Sequence, residues 1–171
     1  MNRFLVFLAL FAFISPALAA EKDMFRSTTY PLPRFVTISS NKAYVRTGPD
    51  KKYPVKWVYK QKGLPVEIIL EFDHWRKIRD IAGDEGWIHH SLLSGRRGAI
   101  ITPQETAKND QIMLLRKPKE GARAIAKLGA GVIVSVKECR IKYCNINANG
   151  FKGWVDRDHI WGVYDKELIE D

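Results

Sequence analysis

The stretch GWIHHSLLSG, at residues 86–95, has a counterpart in GWVDRDHIWG, at residues 153–162. The residues that recur at a constant offset are Gly86/Gly153, Trp87/Trp154, Ile88/Val155, Leu93/Ile160 and Gly95/Gly162. We expect these residues to belong to the fold, with Gly86, Trp87, Gly153 and Trp154 as structural positions of a core. Asp84, Glu85, His89 and His90 do not recur, so any role they have is confined to the first copy.

The repeat continues upstream of these two stretches. Tyr44-Val45-Arg46 matches Leu114-Leu115-Arg116, residues 62–66 match residues 130–134, and His74-Trp75 fall on Lys142-Tyr143. The 171-residue chain is therefore two copies of a unit of about 60 residues, a size at which one hydrophobic core is marginal. Packing between the copies is expected for that reason.

Each copy is predicted to be all-β. Val55, Trp57 and Tyr59 alternate with residues 56, 58 and 60, the period-2 pattern of a half-buried strand. Turn residues separate it from further short strands at 64–70, 75–80 and 86–88, and the second copy repeats them at 124–127, 132–138, 143–148 and 153–155. Short strands with closely spaced turns favour small barrels or sandwiches.

A set of motifs spans the whole first unit in order. It consists of Ala43-Tyr44-Val45-Arg46-Thr47-Gly48-Pro49, Tyr53-Pro54-Val55, Lys62-Gly63, Trp75 and residues 86–94. This set resembles the L-N-V-R-x-G-P … G-W-V … S-x-L-S signature of bacterial SH3-like (Src-homology-3-like) domains. Residues 32–36, 57–60, 71–73 and 92–97 further resemble an exported bacterial family that carries two such domains in tandem.

The resemblance implies two small SH3-like β-barrels and a binding role. Bacterial domains of this kind are similar to cell-wall-targeting modules that bind peptidoglycan peptides, and no family-wide catalytic role is implied. The chain departs from the signature in two places. In the first copy Tyr44 replaces the Asn of the signature, and in the second copy Leu115-Arg116-Lys117-Pro118 replaces V-R-x-G-P. The resulting organisation is a signal peptide at 1–19, an extended leader at 20–33, a first domain at 34–97, a linker at 98–110 and a divergent second domain at 111–171.

The N-terminus has the pattern of a cleaved secretory signal. Asn2-Arg3 precede an uncharged apolar run at 4–14, and Ala17-Leu18-Ala19 form an A-x-A cleavage site. The run is too short to span a hydrocarbon core of about 30 Å. We therefore expect a protein exported to the periplasm or beyond, with no transmembrane segment in the mature chain.

Export changes the interpretation of the two cysteines. Cys139 and Cys144 are spaced C-x4-C, and an oxidising compartment favours a disulfide between them. Two free buried thiols are the alternative. Neither a zinc set nor a thioredoxin-like C-x-x-C is present in the sequence.

A ligand site is predicted around the loop between residues 45 and 54. Aromatic side chains with polar neighbours can line a groove for a peptide or a sugar, although a small barrel also needs large side chains in its core. Residues 34–97 hold 13 basic against 7 acidic side chains, in a chain of net charge +9, so an anionic partner could be attracted to this face. The candidate ligand-binding residues are Tyr44, Arg46, Lys51, Lys52, Tyr53, Trp57 and Trp75.

Metal binding and catalysis are not expected. His89 and His90 are neighbours on a predicted strand and should point to opposite faces, so one metal ion would rarely use both. H-E-x-x-H and G-x-S-x-G do not occur in the sequence. We assign no catalytic residue, no metal and no cofactor.

Three functions follow from these expectations. The first is a non-catalytic module that binds cell-wall peptide or an envelope protein. The second is a scaffold or regulatory partner of a cell-wall enzyme, and the third, less favoured, is a small cell-wall hydrolase. Nucleic acid is not an expected partner of an exported protein.

Overall fold

The computed structural model describes residues 28–102 and 111–170. The first barrel contains β1 (Arg34–Ile38), β2 (Ala43–Arg46), β3 (Val55–Tyr59), β4 (Pro65–Phe72), β5 (Trp75–Arg79), β6 (Glu85–His89) and β7 (Leu93–Ser94). The second contains β8 (Gly98–Ile101), β9 (Gln111–Leu115), β10 (Ala124–Gly129), β11 (Ile133–Cys139), β12 (Tyr143–Ala148), β13 (Phe151–Asp156) and β14 (Ile160–Trp161). Short 3-10 helices, His90–Leu92 and Arg157–His159, precede β7 and β14.

The two sheets have the same antiparallel topology. The strand order is β3-β2-β6-β5-β4-β1-β7 in the first sheet and β10-β9-β13-β12-β11-β8-β14 in the second. Each strand of the second sheet therefore takes the place of the strand seven positions earlier. This confirms the predicted all-β fold with two tandem SH3-like units.

The chain passes directly from one barrel to the next. Gly98–Ile101 lie in the segment expected to be a linker, but they form β8, which pairs with β11 and β14. The physical reason is that an apolar run, Ala99-Ile100-Ile101, is buried in the second barrel. The second sheet therefore begins at Gly98, whereas residues 103–110 of the expected linker lie outside the described residues.

The register of the second copy corrects the sequence alignment by one residue. Arg46 is opposite Trp87 in the first sheet, and Leu115 is opposite Trp154 in the second. Leu115 is thus the counterpart of Arg46, and the exposed Met113 takes the position of Tyr44. Arg116 lies one residue beyond the matching position. The sequence did not show this, because residues 114 and 115 of β9 are both apolar and the alternation that marks the register is lost.

The glycines that precede the two tryptophans are required by close packing. A Cβ atom on Gly86 would lie 2.4 Å from Cγ1 of Val45 and 3.2 Å from the carbonyl oxygen of Arg46. A Cβ atom on Gly153 would lie 2.7 Å from the carbonyl oxygen of Leu115. The repeat of Gly86 and Gly153 thus reflects the same tight crossing of two strands in both barrels.

Each barrel has its own buried core. The first core contains Val36, Ile38, Ala43, Val45, Val66, Ile68, Ile78 and Ile88. The second contains Ala99, Ile101, Ile112, Leu114, Leu128, Val134, Val136, Cys139, Cys144, Ile146, Ala148, Val155 and Ile160. Trp154 is buried and Trp87 is half-buried, so both recurring tryptophans serve the barrel wall.

Cys139 and Cys144 are joined by a disulfide. They face each other at the end of the β11–β12 hairpin. The chain after β14 returns to this point, where the backbone amide of Cys139 donates to the carbonyl of Ile169 at 2.8 Å. The disulfide therefore closes a hairpin that also anchors the C-terminal segment.

The end of the leader is attached to the first barrel through one carboxylate. Glu71 in β4 is fully buried, and it accepts hydrogen bonds from the backbone amide and the hydroxyl of Thr28 at 2.7 and 2.8 Å. Arg34 and Arg76 pair with the same carboxylate. The proposed signal peptide at 1–19, and residues 20–27 of the leader, lie outside the described residues.

Candidate functional site

Four of the seven predicted ligand residues line one groove on the first barrel. A cavity of about 280 Å³ is bounded by Tyr44, Arg46, Lys51, Trp75, His89, Ser91 and Leu92. The groove lies between the loop that joins β2 to β3 and the end of β6. Trp75 is a buried member of this lining and forms the floor of the groove. Its ring meets the His89 ring edge-on, with 5.5 Å between ring centroids.

Two cations, Arg46 and Lys51, form the positive side of the groove. Arg46 donates from Nη1 to the carbonyl oxygen of Tyr53 at 2.7 Å, which ties β2 to the far end of the β2–β3 loop. Lys51 is exposed at the tip of the loop and has no carboxylate partner within the described residues. A neighbouring part of the same surface is lined by Asp50, Lys51, His74, Trp75 and His89. Lys51 is thus free to meet an anionic group.

Tyr53 and Lys52 belong to the loop but not to the groove wall. The Tyr53 ring covers Gly48, where a Cβ atom would come within 2.6 Å of the ring. The Lys52 ammonium lies over the outer side of the Tyr53 ring, 5.7 Å from its centroid. These two residues therefore pack within the loop and contribute to its shape.

Trp57 lies away from the groove. It pairs with Val45 across the β2–β3 hairpin and packs against the core of the first barrel. Its ring is edge-on to Tyr59, with 6.0 Å between centroids, and comes within 3.2 Å of the position of a Cβ atom on Gly86. The structure therefore places Trp57 in the barrel wall, and it does not join the other predicted ligand residues.

A cluster of three histidines stands beside the groove. The ring centroids of His89 and His90 are 4.8 Å apart, and His74 lies 6.0 and 5.6 Å from them. The expectation that His89 and His90 point to opposite faces is wrong, because β6 ends at His89 and a 3-10 helix begins at His90. Within the described residues, no group of three or more His, Cys, Asp or Glu side chains is arranged to hold a metal ion.

His89 has a local structural role that another residue fills in the second barrel. Its Nδ1 lies 2.8 Å from the hydroxyl of Ser91 and accepts from the Ser91 backbone amide at 3.3 Å, which caps the 3-10 helix. In the second barrel, Asp156 caps its 3-10 helix in the same way by accepting from the amide of Asp158 at 3.2 Å. His89 and Asp156 are thus alternative solutions to the same capping requirement.

The surroundings of His89 lower its pKa. Burial is the largest cause, and the charges of His90, His74, Lys51 and Arg76 act in the same direction. Its imidazole is therefore held in the neutral form at neutral pH, which matches its role as a hydrogen-bond acceptor.

The second barrel does not reproduce the groove. Met113 and Leu115 occupy the positions of Tyr44 and Arg46, and Tyr143 and Asp156 occupy those of Trp75 and His89. An aliphatic side chain thus replaces a cation, and a carboxylate replaces an imidazole. The positively charged aromatic groove belongs to the first barrel alone among the described residues.

The strand order that the two barrels share defines a pair of SH3-like domains. The family described as bacterial SH3 domain matches residues 39–95 and again residues 108–162. The chain therefore belongs to the bacterial SH3 domain family. No curated protein sequence matches it.

The chain is also similar to solved structures of larger proteins. "Structure of NlpC1 from Trichomonas vaginalis" is 14% identical, with a TM-score of 0.34, over 80% of this chain and 48% of that one. NlpC2 from the same organism is 13% identical, with a TM-score of 0.32, over 78% and 49%. An NlpC/P60 family protein from Bacillus cereus is 9% identical, with a TM-score of 0.33, over 77% and 57%. The chain thus spans about half the length of these proteins, and similarity this low transfers no activity to it.

Proposed function

We propose that the protein is an exported, non-catalytic binding protein of the cell envelope. It recognises peptidoglycan peptide, or a peptide segment of an envelope protein, through the groove of the first barrel. The observation that carries this proposal is the convergence of Tyr44, Arg46, Lys51 and Trp75 on one groove. Membership in the bacterial SH3 domain family supports a wall-binding role, and residues 1–19 have the pattern of an export signal.

The chemistry of the groove suits a short peptide that carries a carboxylate. Trp75 and Tyr44 offer flat apolar surfaces, and Lys51 offers a point charge without a carboxylate partner in the described part of the chain. Peptidoglycan stem peptides combine small side chains with free carboxylates. An extended peptide laid on the aromatic floor would place a carboxylate within reach of the cationic rim.

The test is sedimentation of the mature protein with insoluble peptidoglycan at low and at moderate salt. The Lys51→Glu variant should bind about tenfold more weakly or worse, because one charge at the rim is reversed and a tenfold change corresponds to about 1.4 kcal/mol. Lys127→Glu is the matched control, since it makes the same charge change at an exposed position of β10, and it should bind like the parent protein.

Three results would overturn the proposal or a part of it. Failure of the parent protein to sediment at low salt would reject wall binding. An equal loss in the Lys51→Glu and Lys127→Glu variants would show attraction to net charge and no role for the groove. Release of soluble fragments from labelled peptidoglycan would separately reject the non-catalytic assignment.

A further inference from the structure

A second concave surface lies between the two barrels. It has a volume of about 530 Å³ and is bounded by the β3–β4 turn and the Ser94–Gly98 connection on one side, and by β11 and the β12–β13 turn on the other. Its lining residues are Thr37, Ile38, Ser39, Lys62, Gly63, Ser94, Arg96, Arg97, Gly98, Ile133, Val134, Ser135, Asn147, Asn149 and Gly150. Both barrels are needed to form this interbarrel cleft.

The interbarrel cleft carries positive charge, and no carboxylate lines it among the residues that the structure describes. Arg97 is already paired, because its two Nη atoms donate to the carboxylate of Glu167 at 2.6 and 2.9 Å. Lys62 and Arg96 are exposed, and their side chains have no ion pair or hydrogen bond within the described residues. Two cations of the interbarrel cleft are thus available to an anion.

The remaining lining is rich in neutral hydrogen-bonding groups. Ser39 and Ser135 bring hydroxyls, and Asn147 and Asn149 bring amides. The Oδ1 atom of Asn147 accepts from the backbone amide of Gly150 at 2.8 Å, which fixes the β12–β13 turn. Asn149, at the tip of this turn with a φ of 50°, is exposed beside the cleft. Hydroxyls and amides around two cations suit a ligand with many hydroxyl groups and a negative charge.

The two walls of the interbarrel cleft are held close together by packing. A Cβ atom on Gly98 would lie 2.8 Å from the carbonyl oxygen of Gly63 in the first barrel. Elsewhere between the barrels, the hydroxyl of Tyr164 in the second barrel donates to Oε1 of Glu67 in the first at 2.8 Å. Both contacts join the first barrel to the second. A cleft whose two walls are already joined by contacts needs less rearrangement on binding, which lowers the cost of binding.

We propose that the interbarrel cleft binds an acidic saccharide, a short sugar chain that carries carboxylate groups. The volume lies within the range of small-molecule sites, about 300–1,000 Å³. The carboxylate would lie between Lys62 and Arg96, and the sugar hydroxyls would meet the serine and asparagine side chains. The choice of a wall saccharide as the source rests on the proposed function, whereas the anion chemistry of the cleft does not.

The experiment is a nuclear magnetic resonance titration of the mature, isotope-labelled protein. The probe is the disaccharide of N-acetylglucosamine and N-acetylmuramic acid, which has one carboxylate, and the matched neutral probe is di-N-acetylchitobiose. The acidic disaccharide should shift the backbone amides of Gly63, Gly98, Asn149 and Gly150 in a saturable way. The neutral sugar should bind at least about fivefold more weakly, since an ion pair worth about 1 kcal/mol is absent.

Variants locate the effect. The double variant Lys62→Gln/Arg96→Gln should weaken binding of the acidic disaccharide about tenfold or more. The double variant Arg123→Gln/Lys127→Gln removes the same charge from exposed positions on and beside β10, and its binding should be unchanged. Equal binding of the two sugars, absence of saturable shifts at the four amides, or full affinity in the Lys62→Gln/Arg96→Gln variant would overturn the proposal.

The two proposals fail separately. The Lys51→Glu variant tests the groove through sedimentation with peptidoglycan, and it should leave the shifts caused by the disaccharide unchanged. Saturable shifts at the cleft together with no groove-dependent sedimentation would keep the interbarrel site and reject the proposed function. Loss of the disaccharide shifts in the Lys51→Glu variant would move the saccharide to the groove and reject the interbarrel site.

Discussion

The hydroxyl of Tyr164 donates a hydrogen bond to Oε1 of Glu67 at 2.8 Å, and the two residues belong to different barrels. Glu67 lies opposite Phe35 in the β1–β4 ladder. The Phe35 ring is 4.7 Å from the Tyr164 ring and 5.0 Å from the Trp161 ring, measured between centroids. The segment after β14 thus places an aromatic contact and a hydrogen bond on the first barrel, so the barrels are expected to move as one body.

The Tyr164→Phe variant should lower the free energy of unfolding by about 1 kcal/mol, the usual value of one hydrogen bond. Burial, followed by the contact with Glu67, raises the pKa of Tyr164, so the hydroxyl stays protonated and the loss should be the same from pH 6 to pH 9. Denaturant unfolding measures the change. Tyr44→Phe is the control, because no hydrogen bond of the Tyr44 hydroxyl is present in the described structure. Equal stability of both variants and the parent protein would show that this hydrogen bond does not contribute to the free energy of unfolding.

The Gly86→Ala variant should lose about 1–3 kcal/mol of stability, the usual cost of overpacking. The added methyl group would meet the Val45 side chain at 2.4 Å and the Arg46 backbone at 3.2 Å. Gly95→Ala is the matched control, since no atom of the described residues other than its chain neighbours lies within 4 Å of a Cβ there. It should change stability by less than about 0.5 kcal/mol. Thermal unfolding of the two variants compares them. A Gly86→Ala protein as stable as Gly95→Ala would mean that β2 can move away from β6.

The fold could be predicted from the sequence because its signals are local and occur twice. The repeat of Gly86-Trp87 is visible without coordinates. The alternation expected in β3 is only partly present, because Val55 is exposed and the β2–β3 register shifts between Val45 and Arg46. The register of β9 could not be predicted, since Leu114 and Leu115 are both apolar and the one-residue choice depends on which one faces the core.

The groove could be predicted only in part, because only some of its residues are close together in the sequence. Tyr44, Arg46 and Lys51 lie in or just before the one loop that the motif marks, whereas Trp75 begins β5 and joins them only in the fold. Trp57 differs because its side chain packs against the core. In a small barrel an aromatic residue can belong to the core or to a groove, and the sequence alone does not distinguish the two. The histidine cluster depends on where β6 ends, and the interbarrel cleft depends on contacts between distant segments. Neither leaves a periodic signal in the sequence.

Reduction of the Cys139–Cys144 disulfide should destabilise the second barrel by about 2 kcal/mol, the chain-entropy value for so short a loop. Its loss also loosens the anchor of the C-terminal segment, because Cys139 and Ile169 exchange backbone hydrogen bonds at 2.8 and 3.2 Å. Protein isolated without reductant should gain the mass of two hydrogens on reduction. Denaturant unfolding with and without reductant gives the stability change, and Cys139→Ser/Cys144→Ser should be insensitive to reductant. An unchanged mass would show that the thiols are free in the isolated protein.

Glu71 should determine how much stability the first barrel loses at acidic pH. Burial raises the pKa of Glu71, but hydrogen bonds from Arg34 and Thr28 and the charges of Arg34 and Arg76 lower it more, so its pKa lies below the ordinary value. The unfolded chain therefore takes up the proton first. The stabilisation by Glu71 is complete above the unfolded pKa of about 4.3 and is lost as the pH falls through the lower pKa of the folded state.

The Glu71→Gln variant should lose about 3 kcal/mol at pH 7, because it leaves two arginines at a buried site without their carboxylate. Its stability should also change less between pH 5 and pH 3 than that of the parent protein, since the titrating group is gone. Glu85→Gln is the control. Its carboxylate pairs with Lys77 and Arg79 on a more exposed face, where solvent screens the charges, so its effect at pH 7 should be much smaller. Denaturant unfolding at a series of pH values separates the two carboxylates. A Glu71→Gln protein that follows the parent curve between pH 5 and pH 3 would place the acid-sensitive group elsewhere in the chain.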